Sequence, residues 1–239
     1  ALPVKEHCQH PMPMREIGKS MLIIRENADK WLVDTDRIAI CGFSAGAHNV
    51  AMYATNWHRK IISDYFSENK EMFRPGAVIL GYTLSDYVFM NNNSTKASLM
   101  DKLLFKASST ALLGTDNPSE ELLNEVSPAK LVTENMPPTY IWATAADELV
   151  PVQHSILMAY ALAEHKIPFE MHIFEEGMHG LALATQATAA SKKQIESDAA
   201  KWADLAGCWL EKRFAFDLPD KTPFEEMIEK GYAHAQHFT

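Results

Sequence analysis

The stretch Arg37-Ile38-Ala39-Ile40-Cys41-Gly42-Phe43-Ser44-Ala45-Gly46-Ala47-His48 decides how this chain is read. Its first half, residues 37–41, is a short apolar run that follows the turn-forming Asp34-Thr35-Asp36. A run of that length and composition reads as a buried strand of the kind found in parallel sheets. Residues 45–56 follow a helical pattern instead. Between the two stands Gly42-x-Ser44-x-Gly46, the pattern of a nucleophile elbow, in which a strained strand-to-helix turn exposes a serine hydroxyl. Glycine is expected at 42 and 46 because side chains there would collide across the turn. The competing reading makes Ser44 an ordinary helix N-cap in a Gly-rich turn.

The same alternation extends outward. Upstream, Met14, Ile17, Met21, Ile24, Ala28 and Trp31 recur at gaps of three and four, which predicts an amphipathic helix with one buried stripe. Downstream, Ala77-Val78-Ile79-Leu80 follows Pro75-Gly76, residues 139–144 follow Pro137-Pro138, and residues 169–174 follow Pro168, each reading as a strand. Residues 152–166 read as a helix, and Ile195, Ala199, Trp202, Ala206 and Trp209 mark a final one. Strand alternating with helix implies an α/β fold of three layers around a mainly parallel sheet. Residues 83–136 hold no strand pattern and read as a cap-like excursion, the alternative being a plain connector of surface helices.

A serine hydroxyl needs a base to become a nucleophile, and the base needs a carboxylate to orient it. In this strand–helix arrangement the three follow in the order Ser, acid, His. Asp147 follows the strand that ends in Ala143-Thr144-Ala145-Ala146, and His179 lies in Gly177-Met178-His179-Gly180, past the strand ending at Phe174. Both stand at carboxyl ends of strands, where open α/β sheets keep their sites. Ser44, Asp147 and His179 are therefore the candidate catalytic residues, with the backbone N–H of Ala45 as an oxyanion donor. Asp147 could instead be an ordinary loop aspartate, as could its neighbour Glu148, and a lone loop histidine is usually a solvated surface residue. His48 competes for the base, since a side chain at i+4 leans back toward residue i; it has no evident carboxylate partner and is read as structural. Asp86 is the runner-up acid.

The other histidines, His7, His10, His58, His154, His165, His172, His234 and His237, show no metal-ligand spacing, and there is no phosphate-binding glycine loop. No cofactor or metal is expected. Of the 239 residues 47% are hydrophobic and 22% charged, which suits a globular domain with a sizeable core. A net charge of −9 argues against nucleic acid or an anionic membrane as partner. No apolar run approaches the ~18 residues of a membrane span. Three sparse cysteines, Cys8, Cys41 and Cys208, form no disulfide framework and point to the cytoplasm.

Three blocks carry a family likeness: residues 37–48, quoted above, Pro137-Pro-Thr-Tyr-Ile-Trp-Ala-Thr-Ala-Ala-Asp-Glu-Leu-Val-Pro151 and Ile167-Pro-Phe-Glu-Met-His-Ile-Phe-Glu-Glu-Gly-Met-His-Gly180. Together with Ile23-Ile-Arg-Glu-Asn-Ala28 and Val126-Ser-Pro128, they resemble the bacterial esterase/lipase family that includes acetyl-xylan-esterase-like hydrolases. The resemblance covers residues 14–213 and implies the α/β-hydrolase fold, with residues 214–239 as a C-terminal extension. It implies an esterase on small acyl groups, often acetyl groups on sugars, and gives Ser44, Asp147 and His179 the roles already argued. Ala47 departs from the family, which often has a second glycine there. The larger departure is at the start. The family's fold has eight strands, this sequence opens near the helix before the fifth, and no Gly-rich turn supplying a second oxyanion donor is visible.

Two rival readings remain at this point. One is a serine peptidase of the prolyl-oligopeptidase type, which shares the elbow and the order of the three residues but carries a propeller domain not seen here. The other is a hydrolase-like domain that binds without cleaving. With the first strands apparently missing, the strand at 37–41 would lie at an edge, and long apolar edges aggregate unless blunted or covered. The sequence thus predicts either a piece of a longer polypeptide or a domain whose edge is covered by a second chain, such as another copy of itself.

Overall fold

The structure, a computed structural model, describes residues 9–93, 99–216 and 219–228. Cys8, His7, His234 and His237 lie outside the described residues. In chain order the elements are α1 (Met12–Glu26), α2 (Ala28–Trp31), β1 (Ala39–Phe43), α3 (Ala45–Asn56), α4 (Lys60–Phe66), β2 (Ala77–Gly81), α5 (Tyr87–Asn93), α6 (Leu99–Leu113), α7 (Glu120–Glu125), β3 (Thr139–Thr144), α8 (Gln153–Glu164), β4 (Phe169–Phe174), α9 (Ser197–Ala200) and α10 (Trp202–Arg213). The four strands form one parallel sheet in the order β1-β2-β3-β4. Each strand pairs with its neighbours in sequence, as expected where helices return the chain across the faces.

Alternation along the strands sorts their side chains onto two faces. Val78, Leu80 and Ile141 pack with Ala47, Val50 and Ala51 of α3 and with Met158 and Leu162 of α8. Ala77, Ile79, Tyr140 and Trp142 point the other way and meet Trp202, Ala206 and Trp209 of α10. Trp142 and Trp202 stack with centroids 5.0 Å apart. Truncating a buried side chain of this size costs about 3–5 kcal/mol, so this aromatic wall is what secures α10 to the sheet. The result is a three-layer α/β sandwich. A further cluster joins Leu84, after β2, and Val150, after β3, to Tyr87, Phe105, Leu123 and Val126 of the excursion. These residues of the excursion are thereby packed against the loops at the carboxyl ends of β2 and β3.

Three boundaries differ from the sequence-based expectation. The first strand runs over Ala39–Phe43 rather than 37–41, because its ladder with β2 continues to Phe43↔Gly81. The predicted upstream helix breaks at Asn27, whose side-chain amide donates to the Ile23 carbonyl at 2.8 Å and so competes with the helical backbone bonds. The last long helix begins at Trp202, after the single turn of α9, and Ile195 is exposed ahead of both.

Among the described residues β1 pairs only with β2. Gly76 donates to the Ile38 carbonyl and Ser44 donates to the Gly81 carbonyl, so the even-numbered groups of β1 face β2. The N–H and C=O of Ala39, Cys41 and Phe43 then face the open side of the ladder. Beyond α10, Phe214 packs into the core cluster of that face and the Arg37 guanidinium lies 3.9 Å over the Phe216 ring. No helix among the described residues is long and apolar enough to cross a membrane.

Candidate active site

Strand β1 delivers Ser44 at its carboxyl end, in a backbone conformation of φ 54° and ψ −123°. A non-glycine residue held there stores on the order of 1–3 kcal/mol of strain, which the surroundings must offset. Two bonds do so. The Ser44 N–H reaches the Gly81 carbonyl at 3.0 Å, and the Ser44 carbonyl accepts from the His48 N–H at 3.0 Å. Glycine is obligatory at 42, where a Cβ would stand 2.4 Å from the Gly46 carbonyl oxygen. The reason expected for Gly46 does not hold, since a Cβ there would meet nothing within 4 Å among the described residues. Ser44 occupies the N-cap position of α3, yet its hydroxyl makes no capping bond. It is turned to His179 instead, with Oγ 2.7 Å from Nε2.

His179 is reached through β4 and a loop with two glycines at positive φ, Gly177 at 128° and Gly180 at 84°. A Cβ on Gly177 would stand 2.7 Å from Leu181 Cδ1. Thr144 closes this loop onto β3 by donating its hydroxyl to the Gly177 carbonyl at 2.7 Å. Asp147, one turn past β3, places Oδ2 2.7 Å from His179 Nδ1. Its Oδ1 accepts the N–H groups of Leu149 and Val150, both at 3.0 Å. The Asp147 side chain is 1% exposed, and these three bonds are what make its burial tolerable. A carboxylate oxygen accepts, so the imidazole proton lies on Nδ1 and the Nε2 lone pair is left for the Ser44 hydroxyl. The Ala45 N–H opens the first turn of α3, where amides have no intrahelical acceptor and can face a developing anion.

The rival residues are engaged elsewhere. His48 is buried on α3, with Nε2 2.9 Å from the Val126 carbonyl and its ring edge-on to Tyr87; burial pushes its imidazole below the ordinary value. It ties α3 to the excursion. Asp86 accepts from the Phe89 N–H at 2.9 Å at the start of α5 and stands 3.9 Å from Lys130. Glu148 is exposed and borders a cavity of about 580 Å³ with His179, Leu149, Glu176, Lys193 and Glu196. No three His, Cys, Asp or Glu among the described residues are placed to hold a metal ion. Sequence reasoning did not single out Thr144 or Tyr82, whose only signal was a place at the carboxyl end of a strand.

His154, on α8, is 1% exposed; its Nδ1 accepts from the Ser85 and Asp86 N–H groups, both at 3.4 Å. Burial pushes its imidazole down from 6.5 to about 4. A depressed folded-state value means that the unfolded chain takes up the proton first. The contribution of His154 is therefore complete above pH 6.5 and is lost as pH falls toward 4, by up to about 1.4 kcal/mol per pH unit. Urea unfolding at pH 7 and pH 5 checks this. His154→Asn should lose clearly less stability on acidification than the parent; equal losses would sink the assignment.

With this geometry in hand, the likenesses to known proteins are specific. Residues 4–162 match the BD-FAE family. The chain is 38% identical over 176 residues to endo-1,4-beta-xylanase B of Butyrivibrio fibrisolvens, covering 73% of this chain and 25% of that protein. It therefore spans a quarter of that relative's length. Among solved structures, a carboxylesterase from Lactobacillus plantarum superposes with a TM-score of 0.68 at 27% identity, covering 85% of this chain and 68% of that one. An acetyl ester-xyloside bifunctional hydrolase from Caldicellulosiruptor lactoaceticus does so with a TM-score of 0.67 at 30% identity, covering 87% and 68%. The parallel sheet, the strained serine turn at its carboxyl edge and these likenesses agree, and the chain belongs to the BD-FAE family of the α/β-hydrolase fold.

Proposed function

We propose that this chain is a serine carboxylic-ester hydrolase acting on small, acetyl-type esters, sugar esters among them. The observation that carries the reading is the unbroken hydrogen-bond relay from Ser44 Oγ through His179 to the buried Asp147, with 2.7 Å at each link. Kinship with a carboxylesterase and an acetyl ester hydrolase supports the reaction class.

As the Ser44 oxygen attacks the ester carbonyl carbon, its proton passes to His179 Nε2. Asp147 holds the tautomer that makes this possible and stabilises the imidazolium that forms. The carbonyl oxygen, now an anion, is met by the Ala45 N–H. When the tetrahedral adduct collapses, the C–O bond to the alcohol breaks and His179 returns the proton to the departing alkoxide. Water then repeats the attack on the acyl-serine with His179 as base, releasing the acid and the free hydroxyl. The chemistry needs no cofactor.

A fluorophosphonate probe should label the chain, and p-nitrophenyl acetate should be cleaved with a higher kcat/KM than the palmitate ester. A long acyl chain needs a long apolar groove, whereas residues 83–136 carry many polar side chains. A clear preference for palmitate would move the reading to a lipase. Cleavage of a proline-containing peptide in preference to the acetate would move it to a peptidase. A chain that neither labels nor turns over would be a binding domain.

A further inference from the structure

Tyr82 follows directly on β2, next to the Gly81 carbonyl that anchors Ser44. It is buried, and its backbone is held at φ 38°, a region tyrosine rarely adopts. Its ring stands edge-on to the His179 imidazole, with centroids 4.9 Å apart and planes at 74°. The ring also meets Trp142, with centroids 5.0 Å apart and planes at 90°, and Phe43, at 5.8 Å. Its hydroxyl accepts the Ala182 N–H at 3.1 Å.

Ala182 lies three residues beyond His179 and is itself at φ 50°. Its carbonyl is also taken, by Trp202 Nε1 at 2.8 Å. The segment that leaves His179 is thus gripped at one residue from both sides, by Tyr82 through the N–H and by Trp202 through the C=O. On the other side of His179, Thr144 holds Gly177. Between these two anchors stands His179, whose imidazole meets the Tyr82 ring directly. Burial raises the Tyr82 phenol above its ordinary value, so it stays a neutral hydroxyl across the working pH range.

We propose that Tyr82 is a positioning residue for His179, fixing the imidazole through ring contact and the following loop through the hydroxyl bond to Ala182. The proposal rests on the reading of His179 as the base. Strain at φ 38° is the expected cost of placing one aromatic side chain where it meets both His179 and Ala182.

Two variants separate the parts. Tyr82→Phe keeps the ring and removes the bond to Ala182; Tyr82→Leu removes the ring contact as well. With p-nitrophenyl acetate, Tyr82→Phe should lower kcat about 10-fold and Tyr82→Leu roughly 100-fold, each with KM within about twofold, because small misplacements of a reacting group act on the chemical step. Trp202→Phe should also lower kcat, and its effect combined with Tyr82→Phe should be less than the product of the two, since both grip Ala182. Proton NMR of the His179 ring, assigned by its loss in His179→Gln, gives a readout that needs no activity. Its Hε1 resonance should shift in Tyr82→Leu as the aromatic neighbour is lost, and by a smaller amount in Tyr82→Phe as the bond to Ala182 is lost. Unchanged His179 resonances in both variants would overturn the proposal, as would a fall in kcat/KM carried by KM alone. If the parent fails to react with a fluorophosphonate, the nucleophile assignment fails, while the NMR comparison still decides whether Tyr82 positions His179.

Discussion

Replacing Ser44 with alanine should abolish covalent labelling by a fluorophosphonate and lower kcat on p-nitrophenyl acetate by about 10⁴–10⁶-fold. The effect should be this large because the Oγ that faces His179 Nε2 at 2.7 Å is the atom proposed to form the acyl bond. The substitution removes one oxygen and leaves the backbone conformation available to the new residue, so the thermal midpoint should change little. KM should change far less than kcat, since the hydroxyl acts mainly in the transition state. Labelling and turnover that match the parent would mean the nucleophile lies elsewhere.

Removing the base should be about as damaging as removing the nucleophile. His179→Ala removes the group that stands 2.7 Å from Ser44 Oγ to accept its proton, and members of such a relay act as a unit. Asp147→Asn should cost roughly 10⁴-fold, for a different reason. The Leu149 and Val150 N–H groups hold one side-chain oxygen of residue 147, so an asparagine would keep its oxygen there and turn its amide nitrogen toward His179. A donor facing Nδ1 forces the proton to Nε2, which then cannot accept from Ser44. His48→Gln is the contrasting variant: His48 bonds the Val126 carbonyl, so its loss should affect stability more than rate. Steady-state rates of the three variants, each checked for folding by thermal melting, decide the matter. Full activity in His179→Ala beside none in His48→Gln would overturn the assignment.

The strands and the helices flanking them were legible in the sequence because their cause is local. Apolar runs such as Ala77-Val78-Ile79-Leu80, short and cut off by Pro75-Gly76, favour a buried strand over a helix. Strands β3 and β4 lie over the residues expected, Thr139–Thr144 and Phe169–Phe174. The elbow was legible for the same reason: a turn tight enough to hold Ser44 at φ 54° excludes a side chain at 42, and the chain carries glycine there. Element ends were less so. Asn27 and Ile195 are not set by periodicity but by a side-chain bond and by where α10 meets the aromatic wall.

That Ser44, Asp147 and His179 follow strands β1, β3 and β4 could be read along the chain; that they touch could not. Order in sequence does not say which neighbour is consumed by another task. His48 is closer in sequence to Ser44 than His179 is, but α3 turns it to Val126. Asp86 is an acid at the end of a strand, but it begins α5. Tyr82 had no sequence signal beyond its position, because its proposed role depends on Ala182, a hundred residues away, and on Trp202, whose indole N–H bonds the carbonyl of that same residue. The sequence by itself determined the α/β alternation, the strained serine turn and the set of candidate residues, since each follows from the conformational limits of a few adjacent residues. Which candidates form one relay, and what holds it in line, was decided only when the parallel sheet brought the carboxyl ends of four strands together.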